Sequence, residues 1–319
     1  WLCLVLGLFG MIVCLFGEKM VLATGQEPEL ARLAGDFLAI CGLSTIPMLF
    51  VNVLRTFVSA MGRPILATVI TAFAIAVNVL GNWVLVFGNL GFEPLGMIGS
   101  PLASFITACI TVLAYCLAIR ADRGLRRMRI FGRWWRPEWS RLQQIILLGL
   151  PIGLTLMAEG SLFSSAAFLM GRIGEAQLAA HTIALQIAAI FFQVPFGIGQ
   201  AATIRVGYHY GAGDRAAVGR AGWAAFWIGM AFVGISAGAM LLAPRQIISL
   251  YIDVENPANA LMIGFALQYL VVAAAFQLVD GAQAVAAGML RGIQDTQMPA
   301  AIAIVSYWLF GFAVAYWLA

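Results

Sequence analysis

The chain has 319 residues, of which 62% are hydrophobic and only 10% are charged. Its mean hydropathy is +0.95. This composition excludes a water-soluble domain and indicates a protein that is embedded in a membrane.

Apolar stretches of about 20 residues, the length that a helix needs to cross the hydrocarbon, recur along the whole chain. They are continuous rather than alternating, which favours helices over a β-barrel. The predicted fold class is therefore an all-α polytopic membrane protein. About nine spans are predicted, near residues 1–16, 34–61, 64–87, 97–119, 142–170, 177–204, 219–243, 260–290 and 299–319.

One connection is rich in arginine. The segment 120–141 holds eight of the 18 Lys and Arg residues, including Arg133. The positive-inside rule places it in the cytoplasm, where Trp134 and Trp135 are expected to anchor it at the interface. Alternating the spans outward from this loop puts fourteen cationic residues inside and four outside. The net charge of +4 therefore reflects topology, and no nucleic-acid partner is expected.

The chain resembles itself at a spacing of about 229 residues. Glu27-Pro28 matches Asn256-Pro257, and Gly62 matches Gly292 after a one-residue slip. Such repeats in a membrane protein indicate a transporter with two related halves. We predict a first lobe over 1–121, a cytoplasmic linker over 122–141 and a second lobe over 142–319. The repeat spacing also predicts that the chain is a fragment, lacking about two helices at the front and one at the back.

Two acidic side chains stand alone in stretches long enough to cross a bilayer. Glu159 lies in the predicted span 142–170 and Asp280 in the span 260–290. An ionisable group at bilayer depth is costly and commonly marks an ion or substrate path. The alternative is a structural carboxyl group that is hydrogen-bonded to a neighbouring helix.

Polar residues at helical spacing accompany both acids. Gln277 and Gln283 are predicted to share the face of Asp280, and Thr155 lies one turn before Glu159. Such a group is suited to hold Na⁺ or a proton, because burial disfavours an uncompensated carboxylate. The five cysteines form no CxxC pair and predict neither a disulfide nor a zinc site. No cofactor is expected.

Other positions mark candidate breaks and a second polar group. Pro151, Pro195 and Gly197 are expected to kink their helices, and such breaks can line a cavity. Asn78 and Asn82 are one turn apart and need partners, which helices outside the chain are expected to supply. His181 is interpreted as a packing residue with its polar atoms satisfied.

Three segments resemble the multidrug and toxic compound extrusion (MATE) transporters, in particular their bacterial NorM-like branch. They are GLPIGLTLMAEGSLFSSAAFLMGRIGEAQLAAHTIALQI, FGIGQAATIRVGYHYGAGD and FQLVDGAQAVAAGMLRGIQDTQMP. The resemblance extends over the chain, from the third helix of the family into the eleventh.

The resemblance implies twelve helices in two six-helix lobes that flank a central cavity. Glu159 matches the carboxylate of the seventh helix, and Asp280 that of the tenth. Both are implied to belong to a cation site, and Asn78 and Asn82 to a pocket of the first lobe. Phe276 stands where some members carry a tyrosine, which removes a possible ligand.

The implied function is antiport, in which entry of Na⁺ or H⁺ drives the export of amphipathic cationic drugs. A multi-pass monomer in the bacterial inner membrane is expected. One rival is a flippase for lipid-linked oligosaccharides from the same superfamily, which would favour several cationic residues in the cavity. An intramembrane enzyme is a second rival, but the chain shows no paired catalytic motif. No enzyme activity is expected.

Overall fold

The computed structural model describes residues 1–23, 27–132 and 136–318. Arg133, Trp134 and Trp135 of the arginine-rich loop lie outside the described residues. The chain divides into two compact units, Trp1–Leu142 and Gln143–Ala319. All regular elements in the described ranges are helices, which confirms the predicted fold class.

The described residues of the first unit form six α-helices. They are α1 (Leu2–Leu15), α2 (Gly17–Ala23), α3 (Pro28–Ala60), α4 (Pro64–Leu85), α5 (Gly99–Ala121) and α6 (Arg123–Arg126). Its core contains Leu54, Val58, Tyr115 and Ile119. The hydroxyl of Tyr115 donates to the carbonyl oxygen of Ala67 at 3.3 Å, so this buried ring has its polar atom paired.

Seven further helices follow, and the boundary between the units falls within the first of them. They are α7 (Trp139–Ile173), α8 (Glu175–Gly211), α9 (Arg215–Leu242), α10 (Pro244–Ile248), α11 (Ala260–Gly292), α12 (Gln297–Ile304) and α13 (Ala313–Leu318). A π-helical segment, Val305–Phe312, connects α12 to α13.

Seven helices in the described ranges are long and apolar enough to span a membrane, namely α3, α4, α5, α7, α8, α9 and α11. The pair α1 and α2 adds an eighth if it is taken as one span, although it is bent by 51°. The predicted ninth span, 299–319, is divided among α12, the π-helical segment and α13, and its apolar part Gln297–Phe312 is short. The predicted count of about nine is therefore met only if both interrupted segments are included.

The repeat is visible in two helices, but with a different spacing. α3 and α11 each have 33 residues, and the first residue of α11 lies 232 positions after that of α3. Their C-terminal turns correspond at the same spacing. The backbone N–H of Arg63 donates to the carbonyl oxygen of Val58, and the backbone N–H of Asp295 donates to that of Leu290. The predicted spacing of 229 residues holds for Pro28 and Pro257, which precede or begin these helices. The 3₁₀ turn Pro257–Asn259 accounts for the other three residues.

The helices of the second unit approach closely at small residues. A Cβ atom on Gly288 of α11 would overlap the backbone oxygen of Gly199 on α8. One turn further, the hydroxyl of Thr203 donates to the carbonyl oxygen of Gly288 at 2.8 Å. Gly207 then faces Gly292. This is the small-residue packing that lets membrane helices associate without a hydrophobic driving force, and it fixes the position of Asp280 on α11.

Asp122 lies between α5 and α6, where the arginine-rich loop begins. Its carboxylate accepts hydrogen bonds from the backbone N–H groups of Gly124 at 2.8 Å and Leu125 at 3.1 Å. It also forms an ion pair with Arg63 at 3.4 Å. The N–H of Leu125, with that of Gly124 and the charge of Arg63, lowers the pKa of Asp122 below its ordinary value. Asp122 thus stays charged and ties the start of this loop to the inner end of α4.

Candidate functional site

A cavity of about 270 Å³ lies within the second unit, between α7, α8 and α11. Its lining residues are Thr155, Leu156, Glu159, Gly160, Phe163, Phe192, Phe196, Asp280, Gln283, Ala284, Ala287 and Arg291. It therefore combines a largely apolar wall with a few polar and charged groups, which is the usual make-up of a site for a small ligand.

Glu159 and Asp280, the two isolated acids of the sequence, line this one cavity. α7 supplies Glu159, which is half-buried, and α11 supplies Asp280, which is only 8% exposed. The two carboxylates interact electrostatically with each other. Neither forms a hydrogen bond or an ion pair with another described residue. Two like charges held in a confined space favour binding of a cation or a proton between them.

Two polar residues predicted beside the acids also line the cavity. The side chain of Thr155 is 5% exposed, and its hydroxyl donates to the carbonyl oxygen of Pro151 at 2.9 Å. That bond leaves the lone pairs of the hydroxyl oxygen available to a ligand. Gln283 lies near Asp280 on α11. Carboxylate, hydroxyl and amide oxygen atoms thus line one space, and oxygen is the ligand atom that hard cations prefer.

Gln277 does not join them, and its predicted place beside Asp280 is wrong. Its side chain is 2% exposed, and its amide nitrogen donates to the hydroxyl of Ser236 on α9 at 3.4 Å. Three residues of an α-helix turn through about 300°, so Gln277 lies about 60° around α11 from Asp280. That rotation suffices to direct it toward α9.

Tyr307 is a member of the site that the sequence did not reveal. It lies in the π-helical segment Val305–Phe312, and its hydroxyl donates to Oε1 of Gln283 at 2.8 Å. It interacts electrostatically with both Glu159 and Asp280. π-Helical turns occur frequently at functional sites, but nothing in the sequence links position 307 to position 283.

Arg291 is the second unpredicted member. Arg291 is one of the fourteen cationic residues that alternation of the spans places inside. In the structure it is half-buried and lines the cavity with the two acids. It interacts electrostatically with Glu159. No described carboxylate lies within ion-pair distance of its guanidinium.

Three phenylalanines form the aromatic part of the wall: Phe163, Phe192 and Phe196. Phe276, which stands where a tyrosine was implied, packs edge-on against Phe163 with ring centroids 6.1 Å apart. Phe276 supports the wall and is not among the lining residues.

The predicted breaks lie near the cavity but are not part of its lining. Pro151 and Pro195 lie inside continuous helices, α7 and α8. Pro195 is buried, and a Cβ atom on Gly281 would lie 3.5 Å from its ring. Gly197 faces open space. Their kinking remains a prediction.

In the first unit, Asn78 and Asn82 have partners within the chain, contrary to the expectation that other helices supply them. The amide nitrogen of Asn78 donates to the hydroxyl of Thr107 on α5 at 3.4 Å. That of Asn82 donates to both the backbone oxygen and the side-chain oxygen of Asn78, at 2.9 Å and 3.1 Å. The three residues form one polar cluster between α4 and α5.

His181 differs from its interpretation as a satisfied packing residue. Its ring packs edge-on against Tyr269, with centroids 6.5 Å apart. Its Nε2 is buried with no hydrogen-bond partner among the described residues. The described residues contain no group of three or more His, Cys, Asp or Glu side chains suited to a metal ion.

The MatE family model matches residues 1–84 and 151–317 of the chain, which include both acids and most of the cavity wall. The chain belongs to the MatE family. The resemblance to MATE transporters is thereby confirmed, and this family consists of transporters rather than enzymes.

Two curated relatives of this MatE chain are bacterial proteins. It is 46% identical over 311 residues to a probable multidrug resistance protein NorM of Mesorhizobium japonicum, covering 98% of this chain and 67% of the relative. It is 42% identical over 294 residues to a protein of the same name in Brucella suis, covering 92% of this chain and 62% of the relative. The chain thus spans about two thirds of the length of these relatives.

Solved structures support the fold of this MatE chain. An outward-facing multidrug resistance MATE transporter matches with a TM-score of 0.85 at 21% identity, over 99% of this chain and 68% of that one. At this level of identity the match establishes the fold, a multi-pass helical membrane protein.

Proposed function

We propose that this MatE protein is a cation-coupled multidrug efflux antiporter that works by alternating access. The observation that carries the proposal is the meeting of Glu159 and Asp280 in one cavity, on helices that are long and apolar enough to span a membrane. Neither acid has a hydrogen bond or an ion pair to another described residue, so keeping both charged inside a membrane costs free energy. A transported cation offsets that cost.

The coupling ion is Na⁺ or H⁺. Two carboxylates, the hydroxyl of Thr155 and the amide oxygen of Gln283 supply the oxygen ligands that Na⁺ requires. The same carboxylates accept a proton instead. Coupling requires that the ion bind more tightly in one conformation than in the other, because only differential affinity shifts the equilibrium between them.

The substrates are amphipathic organic cations. The name multidrug resistance protein, which the NorM relatives carry, supports small-molecule drugs as substrates. Three phenylalanine rings line the cavity beside the acids, and aromatic rings attract organic cations through their faces. We expect the protein to act as a monomer in the bacterial inner membrane.

The charges in the cavity favour efflux over the flippase alternative. A site for a lipid-linked pyrophosphate needs several cationic groups. This cavity has one guanidinium, Arg291, against two carboxylates. With both acids ionised, the net charge of these side chains is negative, which favours binding of a cation.

The test is drug accumulation in cells that lack their own efflux pumps. Cells that express the full-length protein are expected to accumulate less ethidium and norfloxacin than cells with an empty vector. Asp280→Asn is expected to abolish the difference at equal expression. Glu255→Gln, which changes an exposed loop acid, serves as the matched control. Equal accumulation with wild type and empty vector would refute the proposed function.

A further inference from the structure

Arg291 occupies an unusual place for a cation at a helix end. It follows Asp280 by eleven residues, about three turns of α11, so both lie on one face of the helix. An arginine near the end of a membrane helix ordinarily extends toward the headgroups. Here the side chain is half-buried and contributes to the wall of the cavity that holds the acids.

The side chain of Arg291 lies in the cavity of the two acids but forms no ion pair with them. It interacts electrostatically with Glu159, but it forms no ion pair with any described carboxylate. Glu159 and Asp280 therefore keep their oxygen atoms free for another ligand, while one fixed positive charge stays in the same cavity. With both acids ionised, the three side chains carry a net charge of −1.

We propose that Arg291 sets the valence of the ion that this cavity accepts, so that it takes one monovalent cation and rejects divalent cations. This inference rests on the proposed cation site. One Na⁺ or one H⁺ brings the net charge to zero, whereas a divalent cation leaves an uncompensated positive charge in a partly buried space. Without Arg291, two carboxylates and a side-chain amide oxygen are ligands that suit Ca²⁺. Arg291 is thus a selectivity-determining residue that acts by its charge.

The test measures binding of Na⁺ and Ca²⁺, each added alone, to the purified full-length protein in detergent by thermal stabilisation at alkaline pH. In the wild type, Na⁺ is expected to stabilise with a single-site dependence that Asp280→Asn removes, and Ca²⁺ is expected to give no stabilisation that depends on Asp280. In Arg291→Gln, stabilisation by Ca²⁺ that depends on Asp280 is expected to appear. The apparent Kd of Arg291→Gln for Ca²⁺ is expected to lie at least about tenfold below the highest Ca²⁺ concentration that leaves the wild type unaffected, since one nearby unit charge commonly changes ion binding to a carboxylate by this factor.

Two further variants separate charge from structure. Arg291→Lys keeps the charge and is expected to exclude Ca²⁺ as the wild type does. Arg205→Gln removes an exposed arginine of α8 that does not line the cavity, and is expected to change nothing. If Arg291→Gln does not fold, Arg291→Met, which keeps an unbranched stem, replaces it.

The outcomes are distinct. The inference would be overturned if the wild type bound Ca²⁺ through Asp280 as tightly as Arg291→Gln does. The absence of Ca²⁺ binding from both proteins would overturn it as well, because Arg291 would then not be the barrier. Failure of the proposed function would appear elsewhere, as drug efflux that Asp280→Asn leaves intact.

Discussion

The hydroxyl of Tyr307 donates a hydrogen bond of 2.8 Å to Oε1 of Gln283, which lines the cavity with Asp280. This bond joins the π-helical segment to α11 and fixes the orientation of the Gln283 amide. The tyrosine holds the amide oxygen in place, and that oxygen keeps a second lone pair for an ion.

Tyr307→Phe tests that relationship. Loss of the hydroxyl frees the Gln283 amide to rotate, and a hydrogen bond of this kind contributes about 0.5–1.5 kcal/mol. We therefore expect the coupling ion to bind about two- to tenfold more weakly, while the fold persists. The measurement is the ion concentration that gives half-maximal drug efflux from proteoliposomes. Tyr251→Phe, in a loop outside the cavity, is the control. An unchanged ion dependence in Tyr307→Phe would exclude a role for the hydroxyl.

Gly288→Ala tests the close approach of α8 and α11. The added Cβ atom would overlap the backbone oxygen of Gly199, so the helices must separate. Overpacking of this kind costs about 1–3 kcal/mol, and we expect a lower melting temperature and weaker efflux. The control is Gly197→Ala, where the new methyl group meets no atom within 4 Å. Equal melting temperatures for the two variants would contradict the packing described above.

Asn78→Ala tests the polar cluster of the first unit. Asn82 would lose its side-chain acceptor but keep the backbone oxygen of residue 78, and Thr107 would lose a donor. Interhelical hydrogen bonds in membranes contribute about 0.6–2 kcal/mol. We expect a modest loss of thermal stability and no change in the ion dependence of efflux. A shift in that ion dependence would instead support the second polar pocket predicted from the sequence.

Glu159→Gln removes one of the two acids from the cavity. Asp280 and Arg291 then balance each other, so the attraction for a monovalent cation falls. We expect the ion concentration for half-maximal efflux to rise by about tenfold or more. Ion titration of drug efflux from proteoliposomes measures this change. Glu175→Gln, at the exposed start of α8, should behave as the wild type. A Glu159→Gln variant with an unaltered titration would show that Glu159 is a structural acid.

Much of the fold can be predicted from the sequence, because a lipid bilayer restricts which structures can cross it. A backbone that crosses lipid must form a helix or a closed barrel, and a helix needs about 20 apolar residues to cross. The long spans are therefore found by hydropathy. Their ends are not, since polar turns extend the helices beyond the apolar part: the span predicted near 142–170 corresponds to Trp139–Ile173. The bend at Phe16 and the π-helical segment around Tyr307 leave no mark in composition.

Only part of the site could be predicted from the sequence, because some of its residues are brought together by the packing of separate helices. Glu159 and Asp280 stand out because a lone charge in an apolar span is costly. The placement of Gln277, Arg291 and Tyr307 depends on which face of each helix meets its neighbours. Hydropathy and the positive-inside rule treat each span separately. They assign an arginine at a helix end to the cytoplasmic side, whatever its neighbours in the fold.

The central claim is that ion binding at Asp280 drives drug export, and one measurement tests it directly. Purified full-length protein is reconstituted into proteoliposomes with ethidium at equal concentration on both sides of the membrane, and a Na⁺ or H⁺ gradient is imposed. Wild-type protein is expected to transport ethidium against its own gradient with one of the two ions, whereas Asp280→Asn is expected to bind ethidium but to transport it only down its gradient. Gradient-driven transport by Asp280→Asn at the wild-type rate would contradict the account.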